Sequence, residues 1–207
     1  MWGGWLGVVL IMTTVVGIIT ASPLRAADIE HLSVHYSGAI NMSLRAVIDA
    51  PVTRVAAILD NSDDLARLLP GAASVKSLKG SPAGSHRLRI ELQGCLLFFC
   101  PTLTDVMDLH HVHNGMIGNT VPALSDFSAG RMSWHYTAAA KGQTLLRLHA
   151  YLVPRIWVPP LIGPYLIEHK VEHQMRATVN RLERAAKSGH LTPAHHPGSP
   201  PIPGYVF

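Results

Sequence analysis

Charged side chains are scarce in this chain, and several common functional signatures are missing from it. Asp, Glu, Lys and Arg make up 14% of the residues, and the formal net charge is only +4. The basic residues are dispersed, without the dense stripe typical of nucleic-acid binding. The sequence has no glycine-rich phosphate loop, nucleotide fingerprint or Ser-His-Asp order. We therefore expect no nucleic-acid partner, no cofactor and no triad-type hydrolysis.

Cysteine is also rare, since Cys95 and Cys100 are the only two. They are too few for a zinc knuckle. In one straight strand their Cα atoms would lie about 16 Å apart, whereas a disulfide needs about 4.4–6.8 Å. If the chain reverses over the apolar residues 96–99, a disulfide between Cys95 and Cys100 becomes reachable. A bonded hairpin and two buried thiols in a continuous strand both remain open.

The N-terminal 24 residues contain no charged side chain, and residues 5–19 are almost continuously apolar. This run is typical of a secretory signal, and its length also approaches the ~20 residues that span a bilayer. We predict that residues 1–26 are a signal peptide or an uncleaved membrane anchor, so that the protein is exported and is periplasmic or tethered to the membrane. Residues 27–35 are predicted as a linker, and the proline-rich residues 189–207 as a disordered tail.

Between these segments, alternation of apolar and polar residues predicts an antiparallel sheet. The clearest period-two patterns cover residues 40–49, 87–93, 131–137 and 146–152, and each indicates a strand with one buried face. Weaker patterns cover residues 73–79, 102–110 and the stretch after Asn114. Two short helices are predicted after the first strand, at residues 52–59 and from Ser62.

A long amphipathic helix is predicted near the C-terminus. From Leu166 to Lys187 the apolar residues recur at steps of three and four, which places them in one stripe along a helix. Such a helix needs a partner surface on which to bury that stripe. We therefore predict an α+β fold, in which a curved antiparallel sheet of about six to seven strands wraps around this helix.

This order of elements resembles the START-like helix-grip superfamily (SRPBCC), and most closely its bacterial polyketide-cyclase and coenzyme-Q-binding branch. The resemblance rests on Ile48-Asp49-Ala50-Pro51-Val52-Thr53-Arg54-Val55, Leu65-Ala66-Arg67-Leu68-Leu69-Pro70, Asp126-Phe127-Ser128-Ala129-Gly130-Arg131 and Trp157-Val158-Pro159-Pro160. It implies one helix-grip domain over residues 36–188. Because that superfamily holds carriers, enzymes and proteins without a known ligand, the resemblance specifies the fold better than the function.

The helix-grip arrangement places a cavity between the sheet and the long helix. We predict that this cavity binds, and transfers, a hydrophobic small molecule such as a lipid, a quinone or a polyketide-like compound. The same residues would form a plain packed core in a protein without a cavity. The predicted lining consists of apolar side chains on the inner faces, namely Leu92, Trp134, Tyr136, Leu148, Leu152, Leu166, Val171 and Met175. The apolar loops at residues 96–99 and 157–162 also predict contact with a membrane surface.

Two further patterns could indicate catalysis or metal binding. Asp105 interrupts an apolar strand face and is the one weak candidate for catalysis, although a solvent-wetted edge position would also explain it. The alternative of a cyclase- or dehydrase-like enzyme rests on the family resemblance alone, and a ligand-free interaction module is the third alternative. His169 and His173 flank Glu172 in an H-x-x-E-H pattern, but the downstream carboxylate ligand of a zinc peptidase is missing. We predict no functional metal there.

Overall fold

The computed structural model describes residues 27–93 and 101–189. Its eight strands are β1 (Asp28–Tyr36), β2 (Ile40–Ile48), β3 (Ala72–Leu78), β4 (His86–Gln93), β5 (Thr102–Val112), β6 (Gly115–Thr120), β7 (Phe127–Ala138) and β8 (Thr144–Pro154). Its three α-helices are α1 (Val52–Leu59), α2 (Ser62–Leu68) and α3 (Gly163–Ser188). Short 3-10 turns occur at Pro122–Leu124 and Ala140–Gly142. The predictions for residues 1–26, for the tail beyond residue 189 and for the pair Cys95 and Cys100 lie outside the described residues.

All eight strands form one antiparallel sheet in the order β1-β2-β8-β7-β6-β5-β4-β3. The two short helices carry the chain from β2 to the opposite edge of the sheet, where β3 begins. The weaker strand candidates are present as β3, β5 and β6. The predicted α+β architecture with a long C-terminal helix is confirmed, but the sheet has eight strands and not six or seven. The short helices accordingly follow the second strand, not the first.

The extra strand is β1, which occupies residues that were predicted as a linker. Ile29, Leu32, Val34 and Tyr36 lie on the inner face, opposite Ala46, Leu44, Met42 and Ile40 of β2. The register shifts between Ile29 and His31, so the inward residues are first three and then two positions apart. This β-bulge breaks the period-two pattern that a sequence-based reading looks for.

One-sided burial of the sheet follows the predicted alternation. In β2, Leu44, Ala46 and Ile48 are at most 2% exposed, whereas the intervening Arg45 is exposed. The inner face of β7 likewise presents Trp134. These inward side chains form one hydrophobic core with the buried faces of α1, α2 and α3, and removal of this apolar surface from water is what holds the helices on the sheet.

Helix α3 lies on the inner face of the sheet and also covers its β1 edge. Its buried residues include Ile167, Val179 and Leu182, as its apolar stripe predicts. Helix side chains accept hydrogen bonds from backbone N–H groups at the two ends of the edge strand: Asn180 Oδ1 from Ala27 (2.9 Å) and Glu168 Oε1 from Tyr36 (2.8 Å). Glu183 Oε2 also accepts from the Asp49 N–H, just after β2 (3.1 Å). These contacts protect an edge that would otherwise be open to pairing with another strand.

Helix α3 ends at Gly189, whose φ of 73° is the left-handed conformation favoured at helix C-termini. None of the helices in the described part of the chain is both long and apolar enough to cross a membrane.

Candidate functional site

A cavity of about 80 Å³ lies between the inner face of the sheet and the helices. Its wall combines five strands (β2, β4, β5, β7 and β8) with α1, α2 and the C-terminal half of α3. The lining residues within the described part of the chain are all apolar except one threonine: Met42, Leu44, Leu59, Leu65, Leu68, Leu69, Ile90, Met107, Leu109, Met132, Trp134, Leu146, Leu148, Met175, Thr178, Val179 and Leu182. The hydroxyl of Thr178 donates to the Gln174 carbonyl oxygen (2.9 Å). The cavity is therefore lined by hydrocarbon, sulfur and one indole.

The structure brings three of the eight predicted lining residues together at this cavity. Trp134 and Leu148 are cross-strand partners on β7 and β8, and Met175 faces them from α3. The other five lie outside the cavity wall. Tyr136 is buried one inward position further along β7, where its hydroxyl donates to both carboxylate oxygens of Asp60 (2.9 and 3.1 Å).

The remaining four predicted residues lie away from the cavity for a geometric reason. Leu152 pairs with Gly130 and Ile40 near the far end of β8, and Leu92 lies near the end of β4, opposite Ala72 and Leu103. Leu166 and Val171 lie on the N-terminal half of α3, which precedes the turns that face the cavity. The α2 wall, with Leu65 and Leu68 among its members, was not predicted, because helical periodicity does not indicate where a helix docks.

Methionine supplies four of the seventeen lining residues in the described part of the chain, namely Met42, Met107, Met132 and Met175. Sequence reasoning placed only Met175 there, although the alternation of β2 and β7 already put Met42 and Met132 on inner faces. Unbranched thioether side chains adopt many rotamers and adapt to irregular shapes. The wall can therefore change its shape more readily than one made of branched side chains alone.

One buried polar group close to the cavity lacks a partner within the described residues. Trp134 is 3% exposed, and its indole Nε1–H is buried without a hydrogen-bond acceptor in that part of the chain, although the nitrogen itself is not exposed to the cavity. Buried Trp N–H groups are usually hydrogen bonded, because leaving such a donor unpaired costs free energy. This atom belongs to the same residue that forms the centre of the β7 wall.

Asp105 occupies the interior of the sheet, close to the cavity but not in its lining. It is 3% exposed, so the expected solvent-wetted edge position is wrong: β5 lies between β4 and β6, and not at an edge. The hydroxyls of Thr120 (3.0 Å) and Ser125 (3.4 Å) donate to its carboxylate. Burial raises the pKa of Asp105 to about 6, against the lowering effect of those two hydrogen bonds.

Thr120 is held beside Asp105 by a close approach of the backbone of β7. A Cβ atom at Gly130 would collide with the Thr120 hydroxyl and with the Leu152 side chain. Glycine at this position therefore leaves the space that this hydroxyl needs to reach the buried carboxylate.

The histidine pair of α3 is not arranged as a metal centre. His169 and His173 are both exposed, and the His169 ring stacks on Tyr165 with the ring centroids 6.1 Å apart. The carboxylate of Glu172 accepts a 2.7 Å hydrogen bond from the Arg176 guanidinium. Across residues 27–93 and 101–189, no group of three or more His, Cys, Asp or Glu side chains is placed to hold a metal ion.

A second depression, of about 440 Å³, lies on the outer face of the sheet. It is open to solvent and is lined mostly by polar side chains, among them Arg131 and His149. An apolar molecule would remain wet there, so this depression does not fit the predicted ligand class.

Exposed apolar side chains cluster in sequence just before and within the first turn of α3. Trp157 is 78% exposed and Leu161 is 94% exposed, and Ile162 and Tyr165 are also exposed. The Arg155 amide that begins this loop donates to the Asp126 carbonyl oxygen (2.8 Å), while the Asp126 carboxylate accepts from the Thr104 amide (2.7 Å). The loop therefore starts at the same end of the sheet as the first residues of β5.

Comparisons with known proteins agree on the fold. No family model and no curated protein matches the chain. Among solved structures, TTHA0849 from Thermus thermophilus superimposes with a TM-score of 0.57 at 14% identity over 72% of this chain and 98% of its own. The Zhui aromatase/cyclase from Streptomyces sp. R1128 gives a TM-score of 0.57 at 17% identity, over 72% and 94% of the two chains.

A START superfamily protein from Mycobacterium smegmatis gives a TM-score of 0.54 at 14% identity, over 70% and 97% of the two chains. Identities this low establish a shared fold and leave the activity of this chain to its own residues. The resemblance derived from the sequence is confirmed at this level: the chain has the START-like helix-grip fold.

Proposed function

We propose that the domain binds a hydrophobic small molecule in the cavity between the sheet and α3, and that it carries this molecule between apolar environments. The observation that carries the proposal is the cavity itself, whose wall presents no charged side chain among the residues that the structure describes. A wall of this kind favours a molecule that is mostly hydrocarbon, because such a molecule gains by leaving water and loses no hydrogen bonds on entry.

The cavity must enlarge when it takes such a ligand. Its volume of about 80 Å³ is below the ~300–1,000 Å³ typical of small-molecule sites. The four lining methionines support the enlargement, since they can change rotamer at little cost. We propose that they move aside as the ligand enters and close the space when it leaves.

We further propose that the apolar loop before α3 contacts a membrane from which the ligand is taken. Trp157 and Leu161 are largely exposed to solvent, and moving side chains of this kind from water to a bilayer interface is favourable in free energy. Changing both residues to serine is expected to abolish co-sedimentation with neutral phosphatidylcholine vesicles. As a matched control, Tyr151 and Leu124, which are exposed but lie outside this loop, are both changed to serine. This variant should bind vesicles as the wild type does. Equal binding by both variants would remove the membrane step.

The cavity is tested directly by ligand retention. Protein purified from membranes is analysed by native mass spectrometry and by extraction with organic solvent, and a stoichiometric hydrophobic molecule is expected. Met175→Trp should displace that molecule, because Met175 lines the cavity. Val171→Trp is the matched control, since Val171 lies one turn earlier on α3 and outside the wall. Normal retention by Met175→Trp would place the ligand elsewhere and overturn the proposal.

A cyclase-like enzyme is the second candidate, and it is favoured by the buried carboxyl group of Asp105. A buried carboxyl whose pKa is raised to about 6 has a proton to give or take near neutral pH. Asp105 does not line the cavity, so a substrate would have to displace Met107, two residues further along the same face of β5, to reach it. Transport of a ligand therefore fits the arrangement better than catalysis. The enzyme would become the better candidate if the wild-type protein converted a polyketide-like substrate and Asp105→Asn still bound that substrate but no longer converted it.

A further inference from the structure

The depression on the outer face of the sheet is built from outward side chains of four neighbouring strands. Its volume of about 440 Å³ lies within the ~300–1,000 Å³ typical of small-molecule sites. Its floor is one row of residues that crosses the sheet from β1 through β2 and β8 to β7. In this order the row consists of Ser33, Ser43, His149 and Ser133.

Serine side chains make this row lower than its surroundings. Ser43 and Ser133 are the direct cross-strand partners of His149 on its two sides, and both are partly buried, whereas His149 is exposed. Because adjacent strands lie about 4.8 Å apart, the two hydroxyls stand next to the imidazole. On β8 itself, the long side chains of Tyr151 and Arg147 lie two residues from His149 in either direction, so the serine row is recessed between longer side chains.

A second outward row, two residues away on each strand, forms one side of the depression. It consists of His35, Asn41, Tyr151 and Arg131. The Arg131 guanidinium donates one long hydrogen bond to Asn119 Oδ1 (3.5 Å). It forms no ion pair with a carboxylate in the described part of the chain. Most of its five N–H donors are therefore available to a ligand.

The charges around the depression favour an anion. No Asp or Glu lines it within the described residues. Glu168 approaches its rim but lies 3.1 Å from His35 Nδ1 and accepts the Tyr36 amide, so we assign no ligand contact to His35. What remains is a permanently charged guanidinium with hydroxyl and imidazole groups around it, and such a set of donors suits the oxygens of an anion.

We propose that this depression binds a small, water-soluble phosphate ester, whose phosphate group accepts hydrogen bonds from Arg131, His149 and Ser133. Phosphate fits because its oxygens can accept two parallel N–H donors of one guanidinium and further donors from other sides. The depression is larger than a phosphate group, which leaves room for the alcohol part of the ester over Ser43. A soluble ester fits better than a lipid headgroup, because a flat bilayer surface does not reach a recessed floor.

This inference concerns the outer face of the sheet, so it does not depend on the cavity on the inner face. Its test is a calorimetric titration of the full chain with inorganic phosphate and with glycerol phosphate, and glycerol is the uncharged comparison. Both phosphates are expected to bind saturably, the ester more tightly, and glycerol is not expected to bind. Arg131→Gln should weaken the binding of both phosphates roughly tenfold or more, since it removes charge-assisted hydrogen bonds.

Arg89→Gln is the matched control. Arg89 is an exposed arginine on the same outer face, in β4, and lies outside the depression. The variant loses the same charge, so it should bind both phosphates as the wild type does. Because Arg131 and Arg89 are both exposed, neither change removes a core contact, and retention of a hydrophobic ligand in the cavity should be the same in both variants.

Three results would overturn the inference and leave the proposed function standing. The first is that neither phosphate binds saturably to the wild-type protein. The second is equal weakening by Arg131→Gln and Arg89→Gln, which indicates attraction to the overall charge and not a site. The third is Arg131-dependent co-sedimentation with phosphatidylglycerol vesicles without binding of glycerol phosphate, which would assign the depression to a membrane headgroup.

Discussion

The cavity is the feature on which the functional argument depends, and Val179→Leu tests it without any ligand. Val179 is 1% exposed and lines the cavity from α3. The void of about 80 Å³ corresponds to about 2 kcal/mol of lost stability at ~24 cal/mol per Å³. One added methylene that enters it should recover about 0.8 kcal/mol. For a domain of roughly 150 residues this raises the melting temperature by about 2–3 °C.

The matched control is Val55→Leu in α1. Val55 is also helical and fully buried, at 0% exposure, but it does not line the cavity. The change in helix propensity is the same at both positions, so it cancels in the comparison. At Val55 the extra methylene has no void to enter, and overpacking should cost about 1–3 kcal/mol.

Thermal unfolding of both variants is followed by circular dichroism at one pH, after organic extraction, since a retained ligand would itself raise the melting temperature. We expect the two variants to move in opposite directions from the wild type. If Val179→Leu destabilises the domain as much as Val55→Leu does, then the space beside α3 is closely packed, and the argument for a ligand cavity loses its basis.

Three other changes test the charged groups. Burial raises the pKa of Asp105 to about 6, so the wild-type protein loses stability as the pH rises through that value. Asp105→Asn should therefore be more stable than the wild type at pH 8, by up to about 3 kcal/mol, and nearly equal to it at pH 4. Urea unfolding at the two pH values measures this difference. Arg87→Ala leaves Asp108 without its two hydrogen bonds of 2.7 and 2.8 Å and should lower the stability at pH 7. Because that ion pair lowers the pKa of Asp108, the loss of stability should shrink in acid. Changing His169 and His173 to alanine should alter stability by less than about 0.5 kcal/mol and leave the zinc content measured by mass spectrometry unchanged.

Much of the fold could be predicted from the sequence, because burial on one face of an antiparallel sheet imposes a period of two. The strands that contain Leu44, Ile90 and Leu146 follow this rule without interruption, and β7 follows it from Ala129 onward, after a register shift next to Phe127. The rule fails at β1, where the bulge after Ile29 shifts the register and hides the alternation. A local irregularity of one residue was therefore enough to turn a strand into a predicted linker.

The candidate site was harder to predict than the fold. Periodicity assigned each inner face correctly, and this placed Trp134, Leu148 and Met175 on the surfaces that meet. It contained no information about which turns of α3 cross the sheet, so Leu166 and Val171 were predicted to line a cavity that lies further along the helix. Such contacts depend on the relative position of elements that are distant in sequence.

The partner of a buried donor is likewise a property of the folded chain. Nothing in the sequence around Trp134 distinguishes an indole with an acceptor from one without, whereas among the residues that the structure describes its N–H finds no partner. The same holds for Asp105, whose burial depends on β5 being an interior strand and not an edge.

The alternative of a plain packed core must account for two costs in one place. A close-packed interior has few voids, and buried donors in it are nearly always paired. Among the described residues, a void and an unpaired indole N–H, that of Trp134, occur in the same region of the interior. A hydrophobic molecule in the void would regain the apolar contacts that its lining side chains lack, which is why a ligand accounts for the void better than packing does.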